Sequence, residues 1–172
     1  MIVEYSQLTS LRTLYSNKKI VLFKGSFDLF HYAHLQLLKR LSKLGDIFIV
    51  EIKTDIDIKN KKGKNRPIIG ERERAEIVDN IKCVDYVIIA NEQKNTKLVD
   101  EIIKSFPEEK NKLLRDGYLI ENLHPDIVCT TNEVPVPKGI TELCEKLNIK
   151  VEVCQQMGGI HTSDIIRKIK EN

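Results

Sequence analysis

Apolar positions recur along the chain in two alternating rhythms. From Ser6 to Ser16, Leu8, Leu11, Leu14 and Tyr15 fall at helical spacing. Lys18-Lys-Ile-Val-Leu-Phe23 is then short and β-branched, with Gly25 close behind, the pattern of a buried strand. His31 to Leu44 places Leu37, Leu38, Leu41 and Leu44 on one face, and Gly45 closes that helix. Asp46 to Ile52 predicts a second strand. A polar, lysine-rich loop leads past Pro67 and Gly70 into a helix running through Ile81, and Val84 to Ile89 reads as a third strand.

The later half carries helical patterns over Thr96 to Ser105 and, after Pro107, over Glu108 to Asp116. Asp126 to Thr130 and Ile149 to Val153 read as strands, with a helix from Gly139 to Leu147 between them and another from Thr162 to Lys170. Strands alternating with helices predict an α/β, Rossmann-like unit spanning 1–172. Its sheet is expected to be parallel and roughly five-stranded, with helices on both faces. The helical stretch around 92–123 reads as an insertion. In such sheets a ligand lies beyond the carboxyl ends of the strands, so the residues after Phe23 are where chemistry is sought.

Composition narrows the picture. A chain of 172 residues suits one core. Its longest apolar runs, such as Ile47 to Val50, are too short to span a bilayer, and Met1 to Ser6 lacks a signal-peptide pattern, so a cytoplasmic protein without a membrane partner is expected. Cys83, Cys129, Cys144 and Cys154 are widely spaced with no Cys-x-x-Cys pair, and read as reduced, buried residues. A net charge of +3 is too small to argue for a nucleic-acid partner. Lys59, Lys61, Lys62, Lys64 and Arg66 nevertheless crowd together, with Arg72 and Arg74 just beyond; taken alone, that run is a solvated loop.

Directly after the first predicted strand stands Gly25-Ser-Phe-Asp-Leu-Phe-His-Tyr-Ala-His34. Glycine permits a sharp turn and close backbone approach to a ligand, and a helix beginning near His31 aims free N–H groups and its positive end at the same space. Phosphate binds well at such a place. His31 and His34 share one helical face and can donate to charge developing on a phosphoryl oxygen. Without context the pair merely packs or caps; a zinc site fits poorly because no third ligand lies nearby in sequence.

This segment resembles the Gly-x-Phe-Asp-x-x-His-x-Gly-His signature of cytidylyltransferase-like nucleotidyltransferases. Gly25, Phe27, Asp28, His31 and His34 match it, and Ala33 stands where the signature has glycine. Lys62-Gly-Lys-Asn-Arg-Pro-Ile-Ile-Gly-Glu-Arg-Glu-Arg74 is similar to the second family signature, Lys62 matching a loop lysine and Arg74 a helix arginine. Gly158-Gly-Ile-His-Thr-Ser-Asp-Ile-Ile-Arg167 is similar to the third, with Thr162 and Ser163 at its hydroxyl positions. Arg66-Pro-Ile, Glu-Arg-Ala-Glu and the leading helix look like adenylyltransferases of heptose phosphate; His31-Tyr-x-His34 looks more like cytidylyltransferases of glycerol or ethanolamine phosphate.

The resemblance implies in-line attack by an acceptor's phosphate oxygen on the α-phosphorus of ATP or CTP. Backbone at Gly25, Ser26 and Phe27 would hold the α-phosphate, and His31 and His34 would stabilise the transition state. Lys62 and Arg74 would neutralise phosphate charge, and Thr162 with Ser163 would hold the triphosphate tail. Magnesium would travel mainly on phosphate oxygens, with Asp28 a helper for metal or loop, and a homodimer is common among such enzymes. Thr131, Asn132 and Glu133 replace the glycine-aspartate cluster often found near the base or sugar, so Asn132 is a candidate nucleotide contact without an assigned base. Gln156 stands where glycerol-phosphate cytidylyltransferases commonly have arginine. Ala33 and the altered 131–133 loop also suit a second reading, a nucleotide-binding sensor with reduced catalysis.

Overall fold

The computed structural model describes residues 1–90, 95–132, 135–155 and 161–171. Glu133, Gln156, Gly158 and Gly159 lie outside the described residues, as do positions 91–94 at the start of the expected insertion.

Among the described residues six strands form one parallel sheet: β1 (Ile2–Val3), β2 (Ile20–Gly25), β3 (Ile47–Ile52), β4 (Tyr86–Ile89), β5 (Ile127–Thr131) and β6 (Lys150–Cys154), in the order β1-β4-β3-β2-β5-β6. The strand beyond the expected five is β1, which pairs Ile2 with Val87 and Val3 with Ile88. Two residues are too few for an alternation to register in the sequence. The chain order reverses at β2, which has β3 on one side and β5 on the other. A crevice therefore opens at the carboxyl ends of those strands, beside Gly25.

Alternation along the central strands divides the core between two faces. Leu22, Ile49 and Ile88 point to one face and meet Leu8, Val99, Ile102, Leu113 and Leu143 from α1 (Leu8–Leu14), α5 (Lys97–Ser105), α6 (Lys110–Leu123) and α7 (Lys138–Lys146). Val21, Phe23, Phe48, Val50 and Val87 point to the other and meet Leu37, Leu38 and Leu41 of α2 (Tyr32–Leu41) and Ala75 and Val78 of α4 (Glu71–Asp79). The described part of the 92–123 stretch is a layer of this core, since α6 buries Leu113, Leu119, Ile120 and Leu123.

The expected lysine-rich loop is instead a helix, α3 (Asp55–Lys62). Thr54 caps it by accepting from the Asp57 N–H at 3.1 Å; Asp55 and Asp57 occupy its first turn and Lys59, Lys61 and Lys62 its last, each complementing the helix dipole. Only Ile58 is buried, so the pattern carries almost no apolar stripe. Gly63 ends the helix at φ +95°. The last helix, α8 (Thr162–Glu171), lies close to its predicted bounds. No described helix is long and apolar enough to cross a membrane.

Candidate active site

The turn leaving β2 is built around Gly25. A Cβ there would stand 2.4 Å from the Phe27 ring, so only glycine fits. Phe27 and Leu29 adopt left-handed backbone at φ +51° and +52°, conformations that side-chain-bearing residues pay to hold and that cluster at functional sites. The Phe27 ring is buried against Phe23, Phe30 and His34, the last with ring centroids 5.4 Å apart. Phe27 thus fixes a histidine as well as a turn.

His31 precedes α2 and His34 lies in its first turn, with their rings stacked at 3.8 Å between centroids. The His31 N–H donates to His34 Nδ1 at 3.4 Å, which leaves the neutral ring's proton on Nε2. Burial first, then the neighbouring His31 and Lys62, pull His34 down to about 3. Burial and His161 likewise lower His31, whose Nδ1 is buried without a hydrogen-bond partner among the described residues. Both imidazoles are therefore neutral at pH 7. Ala33 causes no strain, because it sits in a right-handed helical turn that alanine adopts readily.

A cleft of about 480 Å³ is lined by His31, His34, Lys62, Arg66, His161, Thr162 and Ser163. Three segments far apart in sequence meet there: the turn before α2, the end of α3 with the loop after it, and the start of α8. Thr162 donates from Oγ1 to the Asp28 carbonyl at 2.9 Å, tying the last segment to the first. Gly25, Ser26 and Phe27 shape the turn leading in. Asn132 is outside the cleft lining; its N–H bonds the Cys154 carbonyl at 3.1 Å.

Two expected roles need correcting. Arg74 has no exposed surface. Its guanidinium donates to the Ile69 carbonyl at 2.9 Å, the Ser26 carbonyl at 2.5 Å and the Lys53 carbonyl at 2.8 Å, and to Asp55 at 2.6 Å. With those donors engaged, Arg74 ties three backbone segments together and does not reach out to a phosphate. Asp28 is equally committed: it accepts from Arg66 Nε at 2.6 Å and from the Ile68 and Ile69 N–H groups at 3.0 Å. Burial alone would raise its carboxyl, but the Ile69 and Ile68 N–H groups and Arg66 outweigh burial and hold it below its ordinary range. Its role is to pin the loop after α3, not to ligate a metal. Arg66, outside the expected site residues, enters the cleft as the partner of Asp28.

The cytidylyltransferase-like family model matches residues 22–168, a span that holds all three segments meeting in the cleft. The chain belongs to the cytidylyltransferase-like family. It is 34% identical over 154 residues to the bifunctional protein HldE of Citrifermentans bemidjiense, a match covering 88% of this chain and 27% of that protein. Against HldE of Helicobacter pylori it is 40% identical over 92 residues, which are 54% of this chain and 20% of that one. The chain thus spans about a quarter of the length of these relatives. Among solved structures, a lipopolysaccharide core biosynthesis protein from Thermoplasma volcanium superimposes with a TM-score of 0.56 at 23% identity, over 83% of this chain and 99% of that one. Pantoate-beta-alanine ligase from Francisella tularensis gives 0.60 at 16% identity, over 100% of this chain and 78% of that one. At those identities the structures speak for the fold alone.

A second, larger cavity of about 720 Å³ lies at the same end of the sheet. Lys24, Glu51, Lys53, Arg115 and Asp116 are among its walls. None belongs to a recognisable motif, so nothing in their spacing marks them out in the sequence.

Proposed function

We propose that the chain transfers a nucleoside monophosphate from ATP or CTP to the phosphate of a small phosphorylated sugar, polyol or amino alcohol, and releases pyrophosphate. The observation carrying this reading is the convergence of stacked His31 and His34 with Lys62, Arg66, Thr162 and Ser163 in one cleft. The stretch similar to heptose-phosphate adenylyltransferases makes ATP and a sugar phosphate the first pair to try.

The backbone turn at Gly25 to Phe27 receives the α-phosphate. An acceptor phosphate oxygen forms a bond to the α-phosphorus; the bond to the bridging oxygen breaks, and pyrophosphate leaves with the electron pair. His34 donates from Nε2–H, and neutral His31 beside it serves the same developing charge without competing for a proton. Lys62 and Arg66 meet negative charge at the cleft wall, and Thr162 with Ser163 meets the leaving tail at the start of α8, where free N–H groups favour anions. The buried, unpartnered His31 Nδ1 and the exposed Lys62 suit a triphosphate. No covalent intermediate is required, since positioning and charge stabilisation supply the acceleration.

With Asp28 committed to its loop, the chain suits a magnesium ion held by phosphate oxygens and water. When bound, that ion neutralises charge on the triphosphate. A cytoplasmic location, no nucleic-acid or membrane partner and a homodimer complete the reading. The test is pyrophosphate release with ATP and CTP in turn, with magnesium, across a panel of phosphorylated sugars, polyols and amino alcohols. Release with one pair is expected. Nucleotide binding with no release across the panel favours the sensor.

A further inference from the structure

The larger cavity is bounded by the carboxyl ends of β2, β3 and β5 and by α3 and α6. Its charges are unevenly matched: Lys24, Lys53, Lys61, Lys112 and Arg115 face Glu51, Asp57 and Asp116. All the carboxylates are taken. Lys24 binds Glu51 at 2.9 Å and Asp116 at 2.5 Å, while Arg115 binds Asp116 at 3.1 Å and Asp57 at 3.3 Å. Tyr5 donates to the remaining oxygen of buried Glu51 at 2.7 Å. Among the described residues no carboxylate lies in ion-pair range of Lys53, Lys61 or Lys112, so the cavity keeps a surplus of positive charge. Lys53 is the half-buried one of these lysines.

Its position couples it to the cleft. The Lys53 N–H donates to the Gly25 carbonyl at 3.0 Å, and the Lys53 carbonyl accepts from Arg74, which also holds Ser26. Lys53 therefore stands one hydrogen bond from the turn assigned to the α-phosphate. Neighbouring α3 residues face different ways, Lys61 into the larger cavity and Lys62 into the cleft. Asn60, Asn111, Thr130 and Thr131 add hydroxyl and amide groups to the wall, and Val136 with Ile140 an apolar one. Its size is that of a small-molecule site.

We propose that this cavity is the acceptor site, that it takes a hydroxyl-bearing phosphomonoester, and that Lys53 holds the attacking phosphate beside the cleft. The inference rests on the transfer reaction proposed above. Lys24 and Arg115 with Glu51 and Asp116 form the frame: two cations balance two carboxylates, tie α6 to the sheet, and leave half-buried Lys53 as the cation for the ligand. The acceptor's hydroxyls meet the asparagines and threonines, and its carbon skeleton the apolar wall.

Two measurements test this on the full chain. Pyridoxal 5′-phosphate, a phosphomonoester bearing an aldehyde, condenses with a lysine amine with loss of water, and borohydride then fixes the adduct for peptide mapping. Lys53 is expected to be labelled ahead of the exposed lysines. Inorganic phosphate or glucose 1-phosphate should protect it, whereas a non-hydrolysable nucleotide should protect Lys62 instead. Labelling spread over surface lysines, or protection of Lys53 by nucleotide alone, overturns the assignment. In the pyrophosphate assay, Lys53→Gln should raise acceptor KM about 10-fold or more while nucleotide KM stays within about twofold, and Lys53→Arg should restore much of the loss. Turnover with an unchanged acceptor KM in Lys53→Gln defeats the acceptor site but spares the transfer reaction. Protection of Lys53 without pyrophosphate release under any acceptor does the reverse.

Discussion

The cleft of His31 and His34 and the cavity of Lys24 and Lys53 lie side by side at one end of the sheet, yet they are assembled in opposite ways. The cleft draws on short runs whose residues are neighbours in sequence, with the Gly25 turn, His31 and His34 all within one strand-to-helix connection. The charged side chains of the cavity come from β2, the end of β3, α3 and α6, belong to no signature run, and are brought together only by the fold. Phosphate chemistry common to many substrates can be held by one local device. Recognition of a particular acceptor needs a shaped wall, and a wall is assembled from distant residues.

Arg74 belongs to both regions, because it bonds the Ser26 carbonyl on one side and the Lys53 carbonyl on the other. Arg74→Leu leaves buried carbonyls unsatisfied and should lower stability by about 3 kcal/mol, read by chemical denaturation, with binding of both substrates impaired. A well-folded variant that loses nucleotide affinity alone would return Arg74 to the role of phosphate ligand. His34→Ala should act on the cleft alone and cut kcat by about 10² or more, with the acceptor KM little changed. Turnover near that of the unsubstituted protein would remove His34 from the mechanism.

Smaller effects sharpen the contrast. Asp28→Asn should cost about 1–3 kcal/mol and raise nucleotide KM by loosening Arg66, without moving acceptor KM. The folded Asp28 carboxyl is held low, so its contribution is present above the unfolded value near pH 4 and is lost as pH falls through the folded one. The smallest effect separates the regions by pH. With both imidazoles held below the ordinary histidine range, kcat/KM for nucleotide should not fall as pH climbs through 6 to 7.5. A fall across it would mean that an imidazolium is needed. Lys53 is pulled down to about 8 by burial and by Lys24, Lys61 and Arg115, against Asp116. It loses its charge above that pH, so kcat/KM for acceptor should decline there, and Lys53→Arg should abolish the decline.

The same contrast explains what could be read before the structure. Strands β2 to β6, the helices around them, the His31 and His34 pair, Lys62 and Thr162 were all readable, because each depends on local periodicity or contiguous spacing. Helix α3 was hidden by its polarity: one buried residue, Ile58, leaves no stripe, and only the Thr54 cap and the charge gradient announce it. The resemblance to the second family signature suggested Arg74 as a phosphate ligand, whereas its orientation is set by carbonyls of three separate segments that no spacing reveals. Asp28 and Arg66 pair across 38 positions, and Lys24 reaches Asp116 across 92. Such partners become visible only once the sheet order is known.

The most direct test follows the transferred group itself. ATP or CTP labelled in the α-phosphate is incubated with magnesium, the chain and each phosphomonoester in turn, and the label is traced alongside pyrophosphate. The account predicts label in a diphosphate-linked nucleotide conjugate, one equivalent for each pyrophosphate released, with one acceptor class. Label released as free nucleoside monophosphate, or label retained in the triphosphate with every acceptor while nucleotide still binds, would contradict it.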